Sequence, residues 1–193
     1  QDYGDEKEII VVDDGSTDGT VKEVRKFRVR LFSQSQRGPA AARNLGIKKS
    51  RGDIILFTDS DCIPEKDWIR EMAKPFKKKD IIGVQGVYKT RQASLVARFT
   101  QLEIEDRYDR MKGFSSIDFI GTYSAGYRRN VFVRAGMFDE AFPIPSGEDS
   151  DLSFRASKVG KMVFNSRAVV YHEHPSSLVE YLKVKFWRAY WRI

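Results

Sequence analysis

Cysteine occurs once in this chain of 193 residues, as Cys62, and histidine twice, as His172 and His174. One cysteine excludes an internal disulfide framework and a cysteine-based zinc site, and it agrees with a reducing compartment. Long apolar runs are missing too: nothing approaches the roughly 18 or more uninterrupted apolar residues of a membrane-spanning helix. No secretory signal opens the sequence, so a cytoplasmic location is expected. What remains is a globular composition, 41% hydrophobic, of a length suited to one sizeable domain. The formal charge of +7 suits anionic partners such as nucleotides, lipid head groups or nucleic acid. Part of it has a plainer origin, since the run Lys77–Lys79 lies at an expected helix end, where cations complement the dipole.

The most informative stretch is Ile54–Cys62, IILFTDSDC, an apolar run that ends in two carboxylates one residue apart. Four apolar residues without alternation predict a strand buried on both faces, as in sheets sandwiched between helices. Asp59 and Asp61 then sit at its carboxyl end, where open α/β sheets bind ligands. One of the two can grip a hard cation such as Mg²⁺ or Mn²⁺ while the other reaches a hydroxyl or a water. The same acids also suit a solvated turn that caps the next helix. A second apolar run, Ile9–Val12, likewise ends in acids, Asp13 and Asp14, followed by the turn formers Gly15–Thr20. Both pairs can converge on one edge of a parallel sheet.

Around these runs the pattern alternates. Val21–Phe27 predicts a short helix, Val29–Phe32 a strand, and Gly38–Asn44 the start of a helix, with Pro39 in its first turn and Arg43 near the sheet edge. Pro64 opens a helix whose Trp68, Met72 and Phe76 form a core stripe. Ile81–Tyr88 predicts a strand weakened by Gly83 and Gly86, and Ser94–Lys112 an amphipathic helix. Strand and helix in alternation imply a mostly parallel sheet with helices on both faces.

The second half differs. After Ile117–Ile120 come the small residues Gly121–Gly126, among them Gly121, Ser124, Ala125 and Gly126, which would let a backbone approach a ligand closely. Asn130–Gly136 is a short helix, and the loop Phe138–Ser146 delivers the chain to Glu148, Asp149 and Asp151 ahead of a helix at Leu152–Val159. Acids there also stabilise a helix N-terminus. Strands at Met162–Asn165 and Ala168–Tyr171 lead to His172 and His174, which point the same way if the segment is extended, so either can complete a carboxylate metal site. From Ser176 a helix carries Leu178, Leu182, Phe186 and Tyr190 along one side, with Trp187, Trp191, Lys183, Lys185, Arg188 and Arg192 elsewhere. Aromatic and basic residues together suit a membrane interface.

Several of these segments together resemble the GT-A-fold glycosyltransferases of family 2, which move a sugar from a nucleotide diphosphate. The matching residues are Ile9–Thr20, Gly38–Gly46, Gly52–Asp61, Phe138–Asp139, Gly147–Arg155 and His172–Pro175, in the family's order over nearly the whole chain. The resemblance implies a GT-A α/β fold, with residues 1–175 as catalytic domain and residues 176–193 as a basic, aromatic and possible membrane-proximal helix. Family members begin with a strand and a Tyr-Asn-type loop; this sequence starts at what corresponds to the end of the following helix, so that first strand is expected to be lacking.

By the resemblance, Asp14 meets the nucleobase and Asp13 supports its loop. Arg43 lies near the nucleotide, Asp59 faces the ribose, and Asp61 ligates a divalent cation, Mg²⁺ or Mn²⁺, with His172 or His174 as a further metal ligand. Asp149 matches the catalytic base, flanked by Glu148, and Gly121–Gly126 floors the sugar and acceptor. The implied reaction is metal-dependent, inverting transfer from a UDP- or GDP-sugar to a glycan or lipid-linked acceptor at the cytoplasmic face of a membrane, with no nucleic acid partner. The segment from Phe186 to Trp191 is loosely similar to an aromatic and Arg segment beside the active site of membrane-bound polymerising members. The alternative is a phosphorelay receiver domain, which also sets acids after early strands and binds Mg²⁺. It leaves Gly15–Thr20, Asp61, Glu148–Asp149 and the histidines unexplained. A hydrolase with an Asp-x-Asp nucleophile is weaker still, because Cys62 stands where glycine is expected.

Overall fold

A computed structural model describes residues 1–142 and 147–190, apart from the side chain of Arg188. Trp191, Arg192 and the end of the loop Phe138–Ser146 lie outside the described residues. The elements in order are β1 (Ile10–Asp13), α1 (Thr20–Val24), β2 (Arg30–Ser33), α2 (Pro39–Lys49), β3 (Ile54–Phe57), β4 (Ile63–Pro64), α3 (Trp68–Ala73), β5 (Ile81–Lys89), α4 (Leu95–Lys112), β6 (Ala125–Arg128), α5 (Arg129–Arg134), α6 (Glu148–Ser157), β7 (Lys161–Tyr171) and α7 (Leu178–Tyr190).

β1 and β2 pair in parallel as a small sheet, and a larger one has the order β3-β6-β5-β7-β4. The expectation of a mostly parallel sheet is corrected: only β5 and β7 are parallel neighbours in the larger sheet, while β3–β6, β6–β5 and β4–β7 are antiparallel. The reason is β6, built from residues that resemble a ligand loop in sequence, which inserts between β3 and β5. Two antiparallel steps restore direction, so β3, β5 and β7 run the same way. Their carboxyl ends deliver Asp59, Tyr88 and His172 to one edge.

Helices cover both faces, as the alternation predicts. On one, Ile47 of α2, Tyr108 and Met111 of α4, Phe132 of α5 and Leu152 of α6 form a cluster with Ile55, Tyr127 and Met162. On the other, Trp68 and Met72 of α3 pack with Phe76, Val84, Ala168 and Val170. Each fully buried apolar side chain such as Met72 or Leu152 contributes about 1.5–3 kcal/mol. The glycines of β5 do not weaken it; they admit its neighbours. A Cβ on Gly86 would lie 2.1 Å from Ser124 Oγ and 2.5 Å from the Ala168 carbonyl. Ala168 belongs to the single strand β7, which joins the two strands expected at Met162–Asn165 and Ala168–Tyr171 and keeps register with β5 through irregular steps. Among the described residues no helix is long and apolar enough to cross a membrane.

Candidate active site

β3 ends at Phe57, and the turn after it brings ligand atoms of Asp59, Asp61 and Cys62 within 4.8 Å of one another. Asp59 is held on both oxygens: Arg43 Nη2 lies 3.4 Å from Oδ1, and the Tyr88 hydroxyl donates to Oδ2 at 3.3 Å. Asp61 is different. Its side chain is 67% exposed, and its Oδ2 lies 3.2 Å from Nε2 of His172, which arrives from the end of β7. Adjacent ligands on one six-coordinate cation with bonds of about 2.1 Å are about 3 Å apart, so this pair has the right spacing. Burial, with the charges of Asp59 and Asp61, pushes the Cys62 thiol up to about 12. Its sulfur is also a soft donor, mismatched to hard cations. Two carboxylates and an imidazole remain, a donor set that fits Mn²⁺ or Mg²⁺.

His174 takes another direction. Beyond Tyr171 the chain leaves the strand, and the two imidazole rings lie 5.3 Å apart with their planes 57° apart. The expectation that they point the same way is thus corrected. His174 is buried, and its Nε2 faces Gln101 Oε1 of α4 at 2.9 Å instead of the acids. Since Gln101 Nε2 donates to the Tyr88 carbonyl and to Glu105, its Oε1 accepts and His174 donates.

Opposite the acids stands the start of α6. Gly147, at φ 110°, turns the chain into the helix where a Cβ would lie 2.8 Å from the Phe142 ring. Glu148 follows, 2% exposed, with Oε1 2.6 Å from Arg43 Nη1 and Oε2 buried without a hydrogen-bond partner among the described residues. Arg43 thus ties α2 to the end of β3 and the start of α6, with its guanidinium 5.6 Å from the Phe138 ring centre. Asp149, partly exposed beside this bridge, accepts the Ser150 N–H at Oδ1, and its charge acts on the phenols of Tyr123 and Tyr127.

The acids after β1 are satisfied within their own loops. Asp13 accepts the Ser16 N–H, and hydrogen bonds from Ser16 hold its carboxyl below the ordinary value. Burial pushes Asp14 upward, but its hydrogen bonds outweigh that and leave it below the ordinary value too. Its Oδ1 accepts from Gln34 Nε2 and the Arg37 N–H, and its Oδ2 from the Gly38 N–H at the head of α2.

The small residues Gly121–Gly126 are largely packed into the core. Gly121, Ser124, Ala125 and Gly126 are buried. Ser124 Oγ accepts from Trp68 Nε1 at 2.9 Å, and a Cβ on Gly126 would lie 2.8 Å from Leu56 Cδ2. Core crowding explains their size. Conversely, Tyr88 carries no motif and escapes sequence reasoning, as does Gln101. Only the place of Tyr88 at the end of an apolar run, like Asp59, marks it.

The sequence profile described as glycosyl transferase family 2 matches residues 1–135. Glycosyltransferase AglE of Haloferax volcanii is 28% identical over 191 residues, covering 93% of this chain and 60% of that protein. Among solved structures, the mannosyltransferase PcManGT of Pyrobaculum calidifontis, in complex with GDP-Man and Mn²⁺, superposes with TM-score 0.66 at 22% identity, covering 93% of this chain and 51% of its own. TarS of S. aureus in complex with UDP superposes with TM-score 0.66 at 22% identity, covering 95% and 56%. The chain therefore has the GT-A α/β fold.

Proposed function

Because the chain belongs to glycosyl transferase family 2, we propose that it transfers a sugar from a UDP- or GDP-sugar to an acceptor hydroxyl, with inversion and with a divalent cation. Family membership replaces the receiver-domain alternative. The observation that carries the reading is the meeting of Asp61 with His172 at the sheet edge, facing the Arg43–Glu148 bridge. Asp61, Asp59 and His172 would hold Mn²⁺ or Mg²⁺, the imidazole favouring Mn²⁺. Such a cation, when bound, neutralises charge on the leaving diphosphate.

The chain's own groups have these roles. Asp13 and Asp14 hold the loop that lies against the nucleobase, and Arg43 keeps Asp59 turned toward the ribose. Asp149 takes the proton of the acceptor hydroxyl as its oxygen bonds to the anomeric carbon. The bond from that carbon to the diphosphate oxygen breaks on the opposite face. Glu148, buried against Arg43, fixes the start of α6 from which Asp149 projects.

We assign residues 1–175 to this chemistry and residues 176–193 to a membrane surface, the acceptor being a glycan or lipid-linked and the location the cytoplasmic face. Support comes from α7, whose Leu178, Leu182 and Phe186 are exposed on a helix tied to α4 through Tyr181, as are Leu95, Phe99 and Leu102 of α4 itself. Lys183 lies on the same helix, which suits anionic lipid, while Lys185 pairs with Glu103 of α4. Co-sedimentation with phosphatidylglycerol vesicles, lost on Leu182→Glu/Phe186→Glu, is the expected result; equal recovery of both proteins would refute it.

The function itself is tested by calorimetric titration of UDP and GDP into the intact protein, with and without Mn²⁺. One nucleotide should bind only with Mn²⁺, and Asp61→Ala should abolish that binding. Failure of both nucleotides to bind in the presence of Mn²⁺ would overturn the reading.

A further inference from the structure

Tyr88 is fixed at more points than its place at the end of β5 requires. Its backbone N–H donates to the Tyr108 hydroxyl at 2.8 Å, and its carbonyl accepts from Gln101 Nε2 at 3.1 Å, so two side chains of α4 clamp one peptide unit on each side. Its ring stacks on Tyr123, with centres 3.6 Å apart and planes 17° apart. The Tyr123 hydroxyl in turn meets that of Tyr108 at 2.9 Å, which closes a loop of three tyrosines. From this rigid mount the phenol donates to Asp59 Oδ2, while the ring lies 4.9 Å from the centre of the His172 ring.

We propose that Tyr88 is a positioning residue of the metal site, its hydroxyl setting the Asp59 carboxylate and its ring setting the plane of the His172 imidazole. The inference rests on the metal-dependent reading above. Three observations support it. First, Asp59 has Arg43 on one oxygen and Tyr88 on the other, so without Tyr88 its carboxylate can rotate about Cβ–Cγ and follow Arg43. Second, His172 Nδ1 is buried without a hydrogen-bond partner among the described residues, so no bond from one of them to that nitrogen orients the ring toward Asp61. Metal-bound histidines are ordinarily oriented by such a bond; here an aromatic contact stands in its place. Third, the stack on Tyr123 and the two clamps from α4 hold the ring itself, so the Tyr88 hydroxyl reaches Asp59 from a fixed position.

The test is a titration of Mn²⁺ alone, without nucleotide. Electron spin resonance of the free ion gives the affinity, and proton NMR of the two imidazole Cε1–H resonances gives the location. Wild type should bind, with the His172 resonance broadening before that of His174. Tyr88→Phe keeps the stacked ring and loses only the hydroxyl; it should bind Mn²⁺ about tenfold more weakly, the low end for partners of metal ligands, while its metal-free melting temperature changes little. Ile82→Ala, a core change at the opposite end of β5 from Tyr88, should lower the melting temperature and leave Mn²⁺ affinity as in wild type. Equal affinity in wild type and Tyr88→Phe would overturn the role of Tyr88 and leave the metal reading intact. Equal weakening in Tyr88→Phe and Ile82→Ala would overturn it as well, since general destabilisation would then account for the loss. A wild-type chain that takes up no Mn²⁺ and broadens neither resonance would remove the metal reading and the role of Tyr88 together.

Discussion

β1 and β3 are both short apolar strands of four residues that run into closely spaced acids, yet the acids do opposite things. After β1, Asp14 accepts three hydrogen bonds from Gln34, Arg37 and Gly38, and Asp13 folds back on Ser16. After β3, Asp61 faces, among the described residues, a cysteine thiol and an imidazole, with most of its side chain in solvent, and across the cleft Glu148 has a buried oxygen without a partner among those residues. Carboxylates saturated by backbone N–H groups build loops. Carboxylates with acceptor positions left open, near other unsatisfied groups, mark where a ligand completes the structure. A strand ending in acids is therefore not a site by itself; the donors its own chain supplies decide.

The contrast can be broken at several points. The largest effect is expected for Asp149→Asn, which should lower turnover by roughly 10²–10⁴ with nucleotide binding retained; steady-state kinetics with calorimetry check both. Next is Arg43→Met. It leaves Asp59 and the buried Glu148 without their shared cation, and urea unfolding should register a loss of about 3–5 kcal/mol. Glu148→Leu in the same chain should recover much of it. Ser124→Ala is smaller. Trp68 Nε1 loses its acceptor in the core, a cost of about 1–3 kcal/mol, while turnover at saturating donor stays near wild type, which separates the packing role of Ser124 from the chemistry.

The smallest effect concerns the first acid pair. Asp13 and Asp14 are held below their ordinary value of 3.8, so each contributes stability that is complete above that pH and is lost as pH falls through the depressed folded-state value. Asp14→Asn should flatten the acid limb of the stability curve below about pH 4, followed by thermal melting at a series of pH values.

Much of this was readable in the order of residues. The apolar runs placed β1, β3 and β5, the four-residue stripe placed α3, and acids at strand ends drew attention to one edge. Side-chain assembly was less readable, for physical reasons. Small residues signal close approach without naming the approaching party, so Ser124–Gly126 served equally as a ligand floor and as room for Trp68, Met72 and Leu56. Alternation along an extended chain separates faces only while the chain stays in the sheet, and His174 lies beyond Tyr171. The importance of Tyr88 comes from Tyr108, Gln101 and Tyr123, which reach it only once α4 has folded back over β5.

The order of the larger sheet also bears on how the molecule comes into being. None of its neighbouring strands is joined by a hairpin, and β3 waits for β6 on the far side of α4. Arg43 meets Glu148 across 105 residues of sequence, and Asp61 meets His172 across 111. Pairing over such distances requires loop closure before any contact rewards it, which slows folding. During synthesis the acids of β3 leave the ribosome long before Glu148 and His172 exist, so a nascent chain carries its future site as separated, solvated charges. A chain cut short of His172 would keep Asp59 and Asp61 but lack the imidazole that meets Asp61.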